Sequence, residues 1–280
     1  MLKLVLFEMG RDVAVVYMVA GMSSRFNGEV KQFAKVGPND ETLIEYSVNQ
    51  AINADFNKII FIVGNKTEVG FKEMFGDNYK GVPVYYARQE FDSELRKKPW
   101  GSVDALCCAK EIIDCPFVIC SGDDIYGEDS FKILIEHVHK NKECAAVGFE
   151  LGNVLSDDGG VNRGIFELDE NKYVKSIKET FGIEKRNFSE KNLSSNNLCA
   201  MSFFAMCPEV IEILEKKLKL FKEENKKNPN AECLLSEELS KLIDANLIKM
   251  KVYSNLDKWF GVTNPGDEIN VRNAISKQSG

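Results

Sequence analysis

The sequence predicts an α/β fold with a mixed, mainly parallel central sheet covered by helices, and three observations carry this prediction. Short apolar runs rich in Val, Ile and Phe recur at residues 13–19, 58–63, 82–87, 117–120 and 145–149. Residues 42–54, 102–113 and 130–140 place apolar side chains three and four apart, the spacing of one helix face. The two kinds of segment alternate in βαβ order, which implies a largely parallel sheet with helices on both sides.

After Glu150 the pattern changes. Residues 156–162 are a Gly/Asn/Asp-rich turn, 164–168 and 173–177 read as short strands, and 189–197 are polar, together an inserted region on the substrate side. Cys207-Pro208 introduces a helix with Pro in its first turn, and the stripe Val210, Ile213, Leu214, Leu218, Phe221 is its core face. The run KEENKKNPN (222–230) reads as a solvated helix end and loop. A helix over 234–245, a strand over 248–253 and a helix after Pro265 complete one domain of 1–280, in two halves, 1–150 and 151–280.

Composition narrows the function. At 280 residues, 44% hydrophobic and 28% charged, the chain can bury a sizeable core, and no apolar run is long enough to span a bilayer. A formal net charge of −7 argues against nucleic acid as a partner, so any anionic ligand must be held by a local group of donors. The start, MLKLVLFEMGRD, does not read as a secretory signal, and a cytoplasmic protein is expected. Eight Cys without a C-x-x-C pair suit reduced, mostly buried thiols. His137 and His139, two apart, suit surface or cap roles, and Trp100 and Trp259 suit packing against core, rim or substrate.

The chemistry begins where the first strand empties into Ala20-Gly21-Met22-Ser23-Ser24-Arg25-Phe26-Asn27-Gly28, followed by Lys31. A small-residue loop at the carboxyl edge of an α/β sheet presents consecutive backbone N–H groups, and phosphate is the natural guest. Arg25 and Lys31 add a fork and a point charge suited to a triphosphate. The loop matches neither G-x-x-x-x-G-K-[ST] nor G-x-G-x-x-G.

The string VAGMSSRFNGEVKQF resembles the signature loop of the sugar-phosphate nucleotidyltransferases with a GT-A-like, Rossmann-like fold, in a bacterial branch. The resemblance continues in order through KVGPNDETLIEYSV, YARQE, RKKPWGSVDAL, SGDDIYG, LSDDGGVNRGIFEL, VKSIKET and KWFGVT. It implies that Ala20, Gly21, Met22 and Ser23, with Arg25 and Lys31, hold the NTP phosphates. Gln89, Gly101 and Ser102 would lie against the base. Asp123 would bind Mg²⁺, with Asp257 the candidate second ligand and Asp124 a capping or turn residue. Glu179 would bind acceptor hydroxyls. Two positions depart from the family pattern: Thr180-Phe181 replaces Lys-Pro, and Asp104 stands where relatives carry His. An ionised Asp104 near the base would favour one with an amino donor, such as cytosine.

The expected reaction is Mg²⁺-dependent nucleotidyl transfer from an NTP to a phosphorylated small molecule, releasing pyrophosphate. An alternative is an alcohol-phosphate cytidylyltransferase using Phe181, Phe203 and Phe204 around a quaternary ammonium. Another is a nucleotide-binding regulator without turnover. The sequence has no hexapeptide array, so a fused acyltransferase is not expected.

Overall fold

A computed structural model of the chain describes residues 12–21, 30–155, 159–254, 257–262 and 266–278. In chain order these form β1 (Ala14–Met18), a 3-10 turn at Lys31–Phe33, α1 (Leu43–Asn53), β2 (Lys58–Val63), α2 (Glu68–Phe75), β3 (Asn78–Tyr79) and β4 (Val82–Arg88). Next come α3 (Ser102–Cys108), β5 (Phe117–Ser121), β6 (Asp124–Ile125), α4 (Glu128–Lys140) and β7 (Cys144–Glu150). The remainder forms β8 (Val161–Leu168), β9 (Val174–Ile183), β10 (Leu198–Ala200), β11 (Phe204–Met206), α5 (Glu209–Glu224), α6 (Leu235–Asp244), β12 (Met250–Ser254), β13 (Phe260–Gly261) and α7 (Asp267–Gln278).

One mixed sheet runs β3-β4-β2-β1-β5-β11-β7-β10-β8-β9, with β12 parallel to β7. β4, β2, β1 and β5 are mutually parallel, as the βαβ alternation predicts. β11 then inserts antiparallel between β5 and β7, and β10, β8 and β9 extend the sheet antiparallel from there. The region after Glu150 therefore continues the same sheet.

Period-two burial explains the double covering. On β1, Val15 and Tyr17 join Ile44 and Val48 of α1 and Phe131 of α4 on one face. Ala14 and Val16 join Val103 of α3, Leu214 of α5 and Leu239 of α6 on the other. Helix α2, which the apolar spacing missed, is held by Phe71 and Phe75, whose rings lie 5.0 and 4.7 Å from that of Phe61. Each such fully buried aromatic contributes about 1.5–3 kcal/mol, enough to order a helix of two turns. Helix α1 starts at a capping box between Thr42 and Glu45.

Several expectations change. Helix α3 stops at Cys108 rather than 113, because Lys110 and Ile112 bond back only three residues, to Cys107 and Ala109. His137 is buried, not a surface or cap residue: its ring nitrogens meet the Tyr253 hydroxyl at 3.0 Å and the Glu143 carbonyl at 2.9 Å. Phe203 and Phe204 are core residues, with Phe203 stacked on Tyr126 at 4.2 Å, so neither is available to cage a quaternary ammonium. The 222–230 run is not simply solvated, since Lys222 pairs with Asp104 and the carbonyl of Asn228 accepts from Arg96 at 3.3 Å. Among the described residues no helix is long and apolar enough to cross a membrane.

Candidate active site

The carboxyl ends of the parallel strands meet at the loop leaving β1. Gly64 and Gly122 let the chain pass there: a Cβ on Gly64 would sit 2.9 Å from the Ala20 carbonyl, and one on Gly122 would sit 2.2 Å from Val19 Cγ1. Ala20 and Gly21 thus emerge beside the ends of β2 and β5. Met22, Ser23 and Arg25 lie outside the described residues. Lys31, in the short 3-10 turn that follows, forms an ion pair with Asp123 Oδ2 just beyond β5. Asp123 Oδ1 accepts from the Ser121 hydroxyl at 3.0 Å, and its carbonyl accepts from Val262 N–H at 3.1 Å. Lys31 and Asp123, 92 residues apart, are thereby brought together as the sequence reading required.

Asp123 and Asp124 open into a cavity of about 250 Å³ walled by the β8–β9 hairpin, the β10–β11 turn, the start of α6 and Trp259. Asp124 reaches it because β6 pairs with β13, where Gly261 faces it: a Cβ there would sit 2.8 Å from Asp124 Oδ1. Burial, reinforced by the neighbouring Asp123, pushes the Asp124 carboxyl well above the ordinary Asp range. The Tyr126 hydroxyl lies 3.2 Å from Asp124 Oδ2 and 2.9 Å from the Met201 carbonyl, tying the wall together. Asp124 is therefore part of the site and not merely a turn residue.

Across the cavity, Glu179 Oε1 accepts from the Ser236 hydroxyl at 3.0 Å. Burial raises the Glu179 carboxyl, while the Ser236 hydrogen bond and the charge of Arg163 pull it down. Arg163 donates from Nη1 to the Asn162 carbonyl at 2.9 Å and from Nη2 to the Val154 carbonyl at 3.1 Å. Ser202 adopts a left-handed φ of 53° at the same wall, a conformation that costs a non-glycine residue and often marks a site. Sequence reasoning missed Arg163, Ser202 and Ser236. Arg163 sits inside the quoted string LSDDGGVNRGIFEL, where its charge was the available signal.

The proposed base-side residues also converge. Gln89 extends the β4 strand, its N–H donating to the Val63 carbonyl at 2.9 Å. Its Nε2 donates to the Gly101 carbonyl at 3.1 Å and to Asp104 Oδ2 at 2.9 Å. Asp104 is buried and its other oxygen meets Lys222, so its carboxylate turns toward Gln89 and α5. Gly101 has φ 99°, and a Cβ there would lie 2.5 Å from the Cys233 carbonyl. Ser102 Oγ accepts from Leu235 N–H at 2.8 Å, fastening α3 to the start of α6. Trp100 is packed under Arg96, whose Cζ lies 3.3 Å from its ring centroid.

Asp257 is placed elsewhere. Its Oδ2 accepts the Ser130 N–H at 2.8 Å in the first turn of α4, and it lines a different cavity with Tyr46, Gly127 and Phe260. Its geometry is that of a helix cap, and Asp124 is the carboxylate that shares the Asp123 cavity. Among the described residues no group of three or more His, Cys, Asp or Glu gathers as a metal site.

The family described as Nucleotidyl transferase matches residues 27–259. A glucose-1-phosphate adenylyltransferase of Pasteurella multocida is 22% identical over 188 residues, covering 62% of this chain and 42% of that enzyme. A UTP–glucose-1-phosphate uridylyltransferase of Haloferax volcanii is 26% identical over 113 residues, covering 40% of this chain and 43% of that enzyme. The chain thus spans about two fifths of the length of these curated relatives. The structure of an inositol-1-phosphate CTP transferase from T. maritima superposes with a TM-score of 0.69 at 14% identity, covering 96% of each chain, and shares the fold.

Proposed function

The chain belongs to the nucleotidyl transferase family, and from that premise we propose that it transfers a nucleotidyl group from an NTP to the phosphate of a small phosphorylated acceptor, releasing pyrophosphate. One observation carries this reading: a cavity of about 250 Å³ joins the Asp123–Asp124 pair, next to Lys31, with Glu179 and Arg163 opposite. A carboxylate pair and a phosphate-loop lysine thus adjoin a polar pocket sized for a small phosphorylated alcohol. The relatives' printed substrates, glucose 1-phosphate and inositol 1-phosphate, belong to that class.

In this reading residues 1–150 hold the nucleotide and 151–280 the acceptor. Backbone N–H groups at Ala20, Gly21, Met22 and Ser23, with Arg25 and Lys31, take the triphosphate, while Gln89, Gly101 and Ser102 border the base. A phosphate oxygen of the acceptor attacks the α-phosphorus, and the bond from the α-phosphorus to the bridging oxygen breaks, releasing pyrophosphate. No strong general base is needed, because the attacking phosphate is already ionised at neutral pH. Lys31 exchanges its Asp123 contact for the phosphates and stabilises the leaving group, so catalysis is chiefly positioning and electrostatics.

Mg²⁺ fits the donor set. Two adjacent carboxylates facing a common cavity, one with its charged form disfavoured by burial and by the other, suit a hard ion that takes one or two carboxylates plus phosphate oxygens. Asp123 and Asp124 would hold it, and the ion would neutralise charge at the α-phosphate. A screen of pyrophosphate release with Mg²⁺ across the five common NTPs and a panel of sugar and polyol phosphates tests the reading. Release that requires one particular pair supports it; no release from any pair overturns it.

A further inference from the structure

Between Gln89 and α3 the chain runs through residues 90–101 without helix or strand, yet Arg96 in the middle of this segment is only 7% exposed. Its guanidinium meets three carbonyls: Nε donates to that of Lys98 at 3.2 Å, Nη1 to that of Asn228 at 3.3 Å and Nη2 to that of Ala231. The flat face of the same group lies on Trp100, with Cζ 3.3 Å from the ring centroid. A buried cation is a costly way to close a loop, because an apolar side chain would fill the space without stripping water from a charge. What the fork adds is direction: its donors diverge at fixed angles and so set two segments against one another.

The segment set in this way is 228–233, between α5 and α6. Lys97 N–H donates to the Pro229 carbonyl at 3.2 Å, and Lys98 pairs with Glu232. Cys233 then brackets Gly101: its N–H donates to the Trp100 carbonyl at 2.7 Å, and its carbonyl accepts from Val103 N–H at 3.1 Å. The Gly101 backbone is pressed against it, since a Cβ there would lie 2.7 Å from Cys233 N as well as 2.5 Å from the Cys233 carbonyl oxygen. A shift of 228–233 would therefore carry Gly101 with it, and the Gly101 carbonyl is one of the two acceptors that hold the Gln89 amide.

We propose that Arg96 is a positioning residue for the nucleotide base: through residues 228–233 it fixes where Gly101 and Gln89 stand. It acts on the base through the backbone rather than by contact. Arg96 thus governs the share of NTP affinity that comes from the base and leaves alone the share that comes from the phosphates, held at Lys31 and the loop after β1. Placing a base at Gln89 and Gly101 rests on the transfer reading above. The fastening of 96–101 to 228–233 rests on geometry alone.

Equilibrium binding of two probes to the wild type, Arg96→Ala and Arg96→Lys tests this at one fixed Mg²⁺ concentration. The probes are inorganic tripolyphosphate and whichever of ATP, CTP, GTP, UTP and dTTP the wild type holds most tightly. Arg96→Lys keeps the charge and the apolar stem and loses the fork. NTP affinity is expected to fall about 10-fold or more in Arg96→Ala and several-fold in Arg96→Lys, while tripolyphosphate affinity stays within about two-fold in both. Unchanged NTP affinity in both variants overturns the proposal. So does an equal loss of NTP and tripolyphosphate affinity, which is what a general loosening of the fold would give. If Arg96→Ala does not fold, Arg96→Lys decides the question. A wild type that binds none of the five NTPs overturns this proposal and the transfer reading together. An Arg96-dependent NTP affinity in a protein that releases no pyrophosphate with any pair overturns the transfer reading and leaves the positioning role standing.

Discussion

Gln89 gives both N–H bonds of its side-chain amide to groups that can only accept, Asp104 Oδ2 at 2.9 Å and the Gly101 carbonyl at 3.1 Å. That arrangement fixes the amide, because the reversed orientation would set Oε1 against two other acceptors. In the proposed reading the Gln89 carbonyl oxygen is the group offered to a base, and Lys222 balances the carboxylate that holds the amide there. On that reading Asp104 would act through Gln89 as a positioning residue, rather than reading the base itself.

Replacing Asp104 by Asn removes one of the two acceptor-only groups that fix the Gln89 amide, since Asn can donate as well as accept, and leaves only the Gly101 carbonyl to oppose a flip. The ratio of affinities between the preferred NTP and its nearest competitor is expected to fall about five- to ten-fold, with kcat changed much less, because the loss is roughly one hydrogen bond of selectivity. Competition binding with CTP, UTP, dTTP, ATP and GTP measures it. Unchanged selectivity in Asp104→Asn and in Lys222→Met would remove Asp104 from base recognition.

Lys31→Ala and Arg25→Ala should lower turnover by about 10²-fold or more, the scale for losing one preorganised charge donor. Lys31 meets Asp123 at a partly exposed position, so the thermal midpoint should move little. Pyrophosphate release beside a melting curve separates the two effects. Near-wild-type turnover in both variants would dismiss the phosphate loop.

Asp123→Asn and Asp124→Asn should each raise the Mg²⁺ concentration needed for half-maximal activity, since an amide keeps the shape and loses the charge that holds a divalent ion. Asp257→Ala is expected to leave that requirement alone and to cost about 1 kcal/mol of stability, the usual penalty for a lost helix cap. A Mg²⁺ titration on all three, with denaturant unfolding of the last, is decisive. A raised Mg²⁺ requirement in Asp257→Ala alone would restore it as a ligand.

Much of this was legible from residue type and spacing. The parallel strands β1, β2 and β5 declare themselves because strands covered on both sides are apolar throughout, and β5 carries Asp123 just beyond its carboxyl end, where Lys31 of the 3-10 turn meets it. What spacing did not show depends on tertiary pairing. Asp124 enters the site only because β6 pairs with β13, two residues on each side. His137 becomes a core residue only because Tyr253 and the Glu143 carbonyl satisfy its ring. Lys222 looks like one charge in a polar run until α5 is laid beside α3, where it meets Asp104 from 118 residues away.

The acceptor side should show its own pH dependence. Burial raises the Glu179 carboxyl above the ordinary Glu range, while the Ser236 hydroxyl donating at 3.0 Å favours its charged form. A carboxylate accepts a substrate hydroxyl better than its neutral acid does, so acceptor binding should strengthen as pH rises through the raised Glu179 titration. The same group works against stability in that direction. Because its folded-state titration lies above its unfolded one, the stability it contributes is full below the unfolded range and is lost as pH rises through the folded one. Ser236→Ala removes the bond to the charged form, so the Glu179 titration moves further up and the rise in kcat/KM for the acceptor moves to higher pH with it. Glu179→Gln should abolish that rise and leave NTP affinity unchanged. A pH profile of kcat/KM for the acceptor in the three proteins checks this, and a Ser236→Ala profile that stays in place or moves to lower pH would exclude Glu179 as the titrating group.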